Sequence, residues 1–361
     1  MAKNNNSKDR KDQVNSSQSN SNNNRNKKHD SKVNNTALLI VVALIVISVI
    51  VMLATGVISF KQLLKLLDIP VSGVITDTDS PQTTRKNEEI VITDKNYLKV
   101  YFIDVGQADS ILIEEVNDTE KSFMLIDAGT SSGHSASVVT DFLKSHGVTK
   151  LKYFILTHPH SDHIGAAKKV IDGFAIDTVF IPDCKYDTST WNSVLTALAN
   201  HEEINTEIVD GEYIGKNFKM LNSYFTILWP DNPIKVSSSD INNVSIVCRF
   251  VYGNNTFMFT GDAEKSSEKG ILDKFSSSEL KCDVLKAGHH GSDTASTQAF
   301  LNAVKPTYVV ISCGTGNSYG HPHAEPMERY KEMNCEILRT DLLQTIVMVS
   351  DGTNINVIKD Q

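Results

Sequence analysis

Leu156-Thr157-His158-Pro159-His160-Ser161-Asp162-His163-Ile164-Gly165 crowds three imidazoles and one carboxylate into six residues, 158 to 163. The run that leads into it, Leu151-Lys152-Tyr153-Phe154-Ile155-Leu156, is short, apolar and aromatic, and reads as a buried strand. Gly165-Ala166-Ala167-Lys168-Lys169-Val170 reads as the first turns of a helix. His158 and His160, two apart on an extended segment, point the same way and can chelate one ion. Asp162 and His163 lie past the bend, are aimed elsewhere, and can hold a second. Imidazole mixed with carboxylate suits borderline ions such as zinc or manganese. Chance histidines in a polar loop rarely fall at this spacing.

Four further stretches stand out on either side. Upstream are Phe102-Ile103-Asp104-Val105-Gly106-Gln107-Ala108-Asp109-Ser110 and Leu125-Ile126-Asp127-Ala128-Gly129. Downstream are Phe259-Thr260-Gly261-Asp262 and Leu285-Lys286-Ala287-Gly288-His289-His290-Gly291-Ser292. A glycine-rich loop follows, Gly314-Thr315-Gly316-Asn317-Ser318-Tyr319-Gly320-His321-Pro322-His323.

The H-x-H-x-D-H pattern resembles the signature of the metallo-β-lactamase superfamily of binuclear metallohydrolases. The other stretches resemble the C-terminal hydrolase domain of the ComEC family of DNA-internalisation proteins and its stand-alone relatives. Ala108 departs from the glycine usual in that family's opening motif. The resemblance implies two divalent metal ions, zinc or manganese, with His158, His160, Asp162, His163, Asp262 and His289 as ligands. Asp262 would bridge them, since an oxygen ligand balances two divalent charges and fixes a short spacing. Asp127 would orient a ligating imidazole through its other nitrogen. His290 would lie behind the ligands or face the substrate, Ser292 would contact phosphate, and Asn317, Tyr319 and His321 would line the cleft. The first of these motifs reads as a structural strand-turn-strand corner. Many true β-lactamases carry cysteine in the second metal site, and none of these motifs does. Many members also supply a third histidine between the H-x-H-x-D-H motif and the bridging aspartate. The histidine in that interval is His201, within Ala199-Asn200-His201-Glu202-Glu203, a poor ligand expected to be dispensable.

Around these motifs the pattern is strands first, then strands alternating with helices. Strands are expected at 98–104, 110–115, 123–127, 179–181, 206–209, 218–228, 245–252, 256–260, 284–285, 308–312 and 346–349. Helices are expected at 135–145, 190–200, 264–274, 296–303 and 325–333. Two strand-rich halves with outer helices predict an α/β fold, an αββα sandwich with two mixed sheets between helical layers.

The chain has 361 residues, 40% of them hydrophobic, enough for a sizeable core. Its net charge of −8 is uneven: residues 1–35 carry eight Lys/Arg against three Asp/Glu, leaving 27 against 40, a net of −13, for the rest. Residues 1–35 are rich in Asn, Ser and Lys without apolar periodicity and read as a disordered tail. Residues 36–60 carry no charge, and about 25 residues suffice to cross a ~30 Å hydrocarbon core as a helix. The run is too long, and too far from the start, for a cleaved signal peptide, so it reads as a signal anchor. Arg25, Lys27, Lys28 and Lys32 before it predict a cytoplasmic N-terminus and a catalytic domain outside a single-pass cell-membrane protein. Residues 61–94 form a linker and 95–361 the hydrolase domain. The five cysteines have no C-x-x-C spacing, which argues against a disulfide framework.

The mechanism implied is attack of an activated water on phosphorus, with His321 or Tyr319 steadying developing charge and Asp162 handling protons. A phosphodiesterase acting on nucleic acid or a phosphorylated cell-envelope component is the leading expectation. Hydrolysis of a lactam, thioester or lactone, or a non-catalytic binding module in DNA uptake, are the alternatives. An acidic domain repels polyanions at long range, so a small or single-site phosphodiester is favoured over duplex DNA. Lys281, Lys286 and Lys305 are the expected short-range basic patch.

Overall fold

The computed structural model describes residues 96–131, 135–231 and 240–359, all within the unit Glu89–Gln361. The expected tail, span and linker, and His134, lie outside the described residues. Among the described residues no helix is long and apolar enough to cross a membrane.

Three strands open the first sheet as an antiparallel meander: β1 (Tyr97–Phe102), β2 (Ile111–Val116) and β3 (Lys121–Ile126). Helix α1 (Ser135–Ser145) then crosses to β4 (Lys150–Ile155), parallel to β3. Two short helices, α2 (Ser161–Ile164) and α3 (Ala167–Gly173), lead to β5 (Ala175–Pro182). Helix α4 (Ser189–Asn200) leads to β6 (Asn205–Val209). The second sheet starts with antiparallel β7 (Asn217–Lys219), β8 (Tyr224–Trp229), β9 (Val247–Tyr252) and β10 (Asn255–Phe259). After α5 (Lys265–Lys274) and α6 (Ser277–Leu280), parallel β11 (Val284–Lys286) is added. Helix α7 (Gln298–Val304) connects it to β12 (Tyr308–Ile311), and α8 (Ala324–Glu332) connects that to β13 (Glu336–Arg339). Past α9 (Thr340–Leu343), β14 (Ile346–Ser350) and β15 (Ile355–Lys359) return to the first sheet. The sheet orders are β15-β14-β1-β2-β3-β4-β5-β6 and β13-β12-β11-β10-β9-β8-β7.

Both sheets are mixed and covered on both faces, which is why their central strands are apolar almost throughout. Alternate residues go to different cores. Phe154 of β4 packs with Val139 and Leu143 of α1 and with Trp191 and Leu198 of α4. Its neighbour Ile155 faces the other way, into a layer between the sheets with Phe102, Phe180, Phe225 and Phe257. Met258 of β10 packs outward with Ile271 of α5 and with Phe300 and Leu301 of α7. Each such fully buried side chain contributes about 1.5–3 kcal/mol. The result is the expected αββα sandwich. All five cysteines are free.

The structure departs from expectation in three places. The strand expected over 218–228 is two strands, β7 and β8. Buried Glu115 of β2 accepts hydrogen bonds from Leu221 N, Asn222 N and Ser223 Oγ, pinning a turn between them. The helix expected from Gly165 is α3, and an additional short helix, α2, precedes it inside the motif from Ser161. Strands β13 and β15 were not anticipated.

The register places the strand ends. Phe102, Ile111, Ile126 and Ile155 share one end of the first sheet, while Tyr97, Val116 and Lys121 share the other. In the second sheet β10, β11 and β12 run in parallel, so the chain leaves Phe259, Lys286 and Ile311 in the same direction.

Candidate metal centre

Each sequence motif begins where one of these strands stops. Asp109 lies between β1 and β2, Asp127 follows β3, His158 follows β4, Asp262 follows β10 and His289 follows β11. Glycine is required where the two sheets meet: Gly261 has φ +50°, and a Cβ there would lie 2.9 Å from Thr157. At Gly165, below α2, a Cβ would lie 2.1 Å from Ser131 N.

Asp262 is the hub. It is 2% exposed, and its two oxygens face different groups. Oδ1 lies 3.2 Å from His163 Nε2 and 3.7 Å from His290 Nε2. Asp162 Oδ2 is 3.4 Å from that same His290 nitrogen. Asp162, His163, Asp262 and His290 therefore offer ligand atoms all within 4.8 Å of one another. Oδ2 lies 3.8 Å from His158 Nε2, which is 3.0 Å from His160 Nδ1, and His158, His160 and Asp262 form a second such group. The order of the adjacent histidines is thus corrected: His290, not His289, stands with Asp162 and His163. His289 Nε2 is 3.8 Å from Oδ2. The cause is local backbone, since both residues are left-handed (φ 47° and 53°) and their rings splay to opposite sides. His201 joins neither group and pairs instead with Asp172 and Glu203.

Behind the first group stands a charged frame in which Asp127 has the orienting place expected of it, while Asp109 and Lys286 were not assigned to it. His163 Nδ1 is 2.7 Å from Asp127 Oδ2, and Asp127 also accepts from Thr157 N and Thr157 Oγ1. His290 Nδ1 lies 2.9 Å from Ser312 O and 3.4 Å from Asp109 Oδ1. Asp109 Oδ2 is 2.5 Å from Lys286 Nζ, and this lysine is 0% exposed. Lys286 therefore does not belong to a surface basic patch, because its charge is spent on a buried aspartate. Lys281 and Lys305 are exposed.

Charge follows this layout. Burial alone would push Asp262 up, but His163 and His290 hold it well below the usual carboxylate range. Against burial, Asp262 and Asp127 raise His163 well above its ordinary value, and Asp262 and Asp109 push His290 up to about 9. Burial would also raise Asp162 and Asp109, but His290 and His163 hold Asp162 low and Lys286 holds Asp109 low. Burial drives His158 well below its ordinary value and lowers His160. His163 Nε2, His290 Nε2 and Asp262 Oδ1 are buried without a hydrogen-bond partner. Three such atoms converging in a nitrogen-and-oxygen donor set fit a divalent cation.

A cleft of about 400 Å³ opens over both groups, lined by Gln107, His160, Tyr186, Thr188, Tyr319 and His321 among others, with no lysine or arginine among the described residues that line it. Burial and the neighbouring His289 and His290 press His321 down to about 4, so the ring is neutral. Gln107 Nε2 lies 3.3 Å from its Nδ1, and Gln107 Oε1 accepts from Gly314 N. Tyr319 is 67% exposed and stacks on His321 at 5.6 Å. Two expected cleft residues face elsewhere. Ser292 is 2% exposed, and its Oγ accepts from Thr294 N. Asn317 closes its own loop, donating to Gly314 O and His321 O and accepting from His321 N. Gln107, Asp109, Glu264 and the Tyr186–Thr190 wall were missed as functional residues, and Lys286 was expected in the wrong place. Of these, Gln107, Asp109 and Lys286 lay inside the quoted motifs.

The family model for the metallo-beta-lactamase superfamily matches residues 103–183 and 241–315. ComE operon protein 3 of Bacillus subtilis (strain 168) is 29% identical over 262 residues, covering 69% of this chain and 32% of that protein. Competence protein ComA of Neisseria gonorrhoeae is 30% identical over 254 residues, covering 69% of this chain and 32% of that protein. The chain thus spans about a third of the length of the curated relatives it matches. A solved structure described as a new diphosphatase from the PhnP family superposes with a TM-score of 0.40 at 11% identity, covering 71% of this chain and 97% of that one.

Proposed function

This chain carries a metallo-β-lactamase superfamily domain, and from that premise we propose that it is a binuclear metal-dependent phosphodiesterase. The observation that carries the reading is the meeting of unpartnered buried atoms on one oxygen of Asp262, with a second histidine group on the other. Two divalent ions bound there would supply Lewis-acid charge to a phosphate and lower the pKa of water between them. Asp262 would hold both, as the carboxylate that the two groups share among the described residues. Asp162 is ionised and edges the cleft, placed to accept a proton. Gln107 faces His321 Nδ1, which leaves the other ring nitrogen as a neutral N–H donor for a phosphoryl oxygen. Tyr319 shields that ring from solvent on its exposed side.

The substrate is a small or single-site phosphodiester. Among the described residues the cleft is lined by no lysine or arginine, Lys286 is buried, and the chain beyond residue 35 carries a net −13. A phosphorylated envelope component or the end of a nucleic-acid strand fits that volume, whereas tracking along a duplex calls for a basic groove. We further place the domain outside the cell membrane on the anchor at 36–60, a reading supported by the uncharged run and the basic residues before it.

The test is turnover of bis(4-nitrophenyl) phosphate by chelated protein before and after zinc or manganese is restored. Single-stranded DNA, a lactam, a thioester and a lactone run beside it. Restored diester turnover is expected, and turnover of only a non-phosphate substrate overturns the reading. DNA cleavage that weakens steeply from 50 to 200 mM salt would replace the small diester with nucleic acid. Protease added to intact cells should degrade the domain, and protection until lysis would reverse the orientation.

A further inference from the structure

We propose that His323 is a positioning residue: its imidazole clamps the loop 314–321 to the loop 289–294 and so sets where His321 stands over the cleft. This rests on the diesterase reading above, which uses His321 as a donor to a phosphoryl oxygen and gives His323 no part.

The first argument is what the ring does not do. His323 is the N-cap of α8, with extended backbone (φ −70°, ψ 156°), yet its side chain makes no cap hydrogen bond. Serine, threonine, aspartate and asparagine are preferred there, because a short oxygen-bearing side chain satisfies a free N–H of the first turn. The imidazole turns back over the preceding loop instead. It packs edge-on against His321, with centroids 4.7 Å apart and planes at 74°. Gly320, at φ +76°, passes beside it, and a Cβ there would lie 3.9 Å from both Cδ2 and Nε2 of the ring.

The second argument is the pair of ring nitrogens. His323 Nδ1 lies 3.1 Å from Asp293 N, and a backbone N–H can only donate, so Nδ1 accepts. The neutral ring then carries its proton at Nε2, 3.1 Å from Tyr319 O, which can only accept. Asp293 Oδ1 is farther from Nδ1, at 3.3 Å. One ring thus spans two loops, with Asp293 on one and Tyr319 on the other. The backbones meet at the same place. His323 N donates to Gly291 O at 2.9 Å, and a Cβ on Gly291 would lie 2.7 Å from Pro322 Cβ. On the other flank Gln107 holds the loop through Gly314 N and His321 Nδ1. His321 therefore stands between two props, and a misplacement of about 1 Å in such a donor can cost on the order of 100-fold in rate.

The experiment separates the two nitrogens. Glutamine places an amide N–H near the Nε2 position and leaves Nδ1 without a counterpart, whereas asparagine places an acceptor near Nδ1 and nothing at Nε2. The full chain in detergent, loaded with metal, is assayed on bis(4-nitrophenyl) phosphate. His323→Ala and His323→Asn should lower kcat about 10- to 100-fold, with KM and ions per chain held at the level of the unchanged chain. His323→Gln should recover most of that loss. Adding His323→Ala to His321→Ala should cost nothing further, because the clamp acts through that ring. Hydrogen exchange, which needs no turnover, should quicken across residues 314–320 in the alanine and asparagine variants and not in the glutamine variant. Equal losses in His323→Gln and His323→Asn overturn the assignment, as does a further loss on top of His321→Ala or an unchanged kcat in His323→Ala. If the unchanged chain turns over no diester, the diesterase reading fails by itself. Exchange then decides the clamp, and unaltered exchange in His323→Ala overturns it.

Discussion

The two oxygens of Asp262 look onto unlike regions. On the Oδ1 side everything is buried and charged: His163 leans on Asp127, His290 on Asp109, and Asp109 on Lys286. On the Oδ2 side His158 and His160 touch each other, His160 packs against Tyr186 at 5.7 Å, and His289 is partly exposed. One side is fixed by a rigid ionic frame and the other by neutral contacts at the edge of the cleft. The difference teaches that, with metals bound as proposed, Asp262 would join a site that must shed protons before it takes an ion to one that is already deprotonated.

The largest effect tests what the sides share. Asp262→Ala should empty both centres and cut diester turnover by more than about 10³-fold, read by metal analysis and initial rates. Retention of one full ion would show that the sides are independent.

Next comes the frame itself. Lys286→Met strands a buried Asp109 and should cost about 3–5 kcal/mol in urea unfolding of the chelated protein. Adding Asp109→Asn should recover most of it. A negligible cost for the single change would mean the ionic frame is not what distinguishes the sides.

A subtler contrast is in pH. In chelated protein His163 and His290 keep their protons past neutrality, the latter up to about 9. An ion entering on that side must displace them, so its affinity should climb as pH rises from 6.5 to 9, about tenfold per unit for each proton lost. His158 and His160 sit below their ordinary value of 6.5, so the other side should be flat over that range. Stability of the chelated protein runs the opposite way. The contribution of His290 is complete below pH 6.5 and is lost as pH rises through about 9, and that of His163, raised well above its ordinary value, is likewise lost on the alkaline side. Competition with a coloured chelator across the range separates the two slopes, and equal slopes would break the comparison.

The smallest effect is the control outside both groups. His201→Ala should leave metal content and kcat/KM unchanged, since that ring engages Asp172 and Glu203.

What could be read from the chain was what is local to it. His158, His160, Asp162 and His163 announce themselves because their chemistry and spacing lie in one strand-to-helix turn, and the layered fold follows from apolar runs. Lys286 was misplaced because a fully buried lysine is rare, and its partner Asp109 lies 177 residues upstream. His289 was expected where His290 stands, beside Asp162 and His163, because two backbone angles decide which ring turns that way and no spacing encodes those. Ser292 and Asn317 had the right chemistry for phosphate, but nearby backbone and side-chain groups claimed them first. Strand β13 escaped notice because four residues pairing with distant β12 leave no periodic trace.

The register of the first sheet also sets the two ends of β1 apart. Strand β1 begins at Tyr97, at the pole of the sheet shared with Val116 and Lys121, and runs toward the loop that carries Gln107 and Asp109. Tyr97 therefore stands a strand's length, roughly 20 Å for six residues, from the loop at the far end of β1. The start of the first strand and the loop that borders the cleft belong to opposite poles of the sheet.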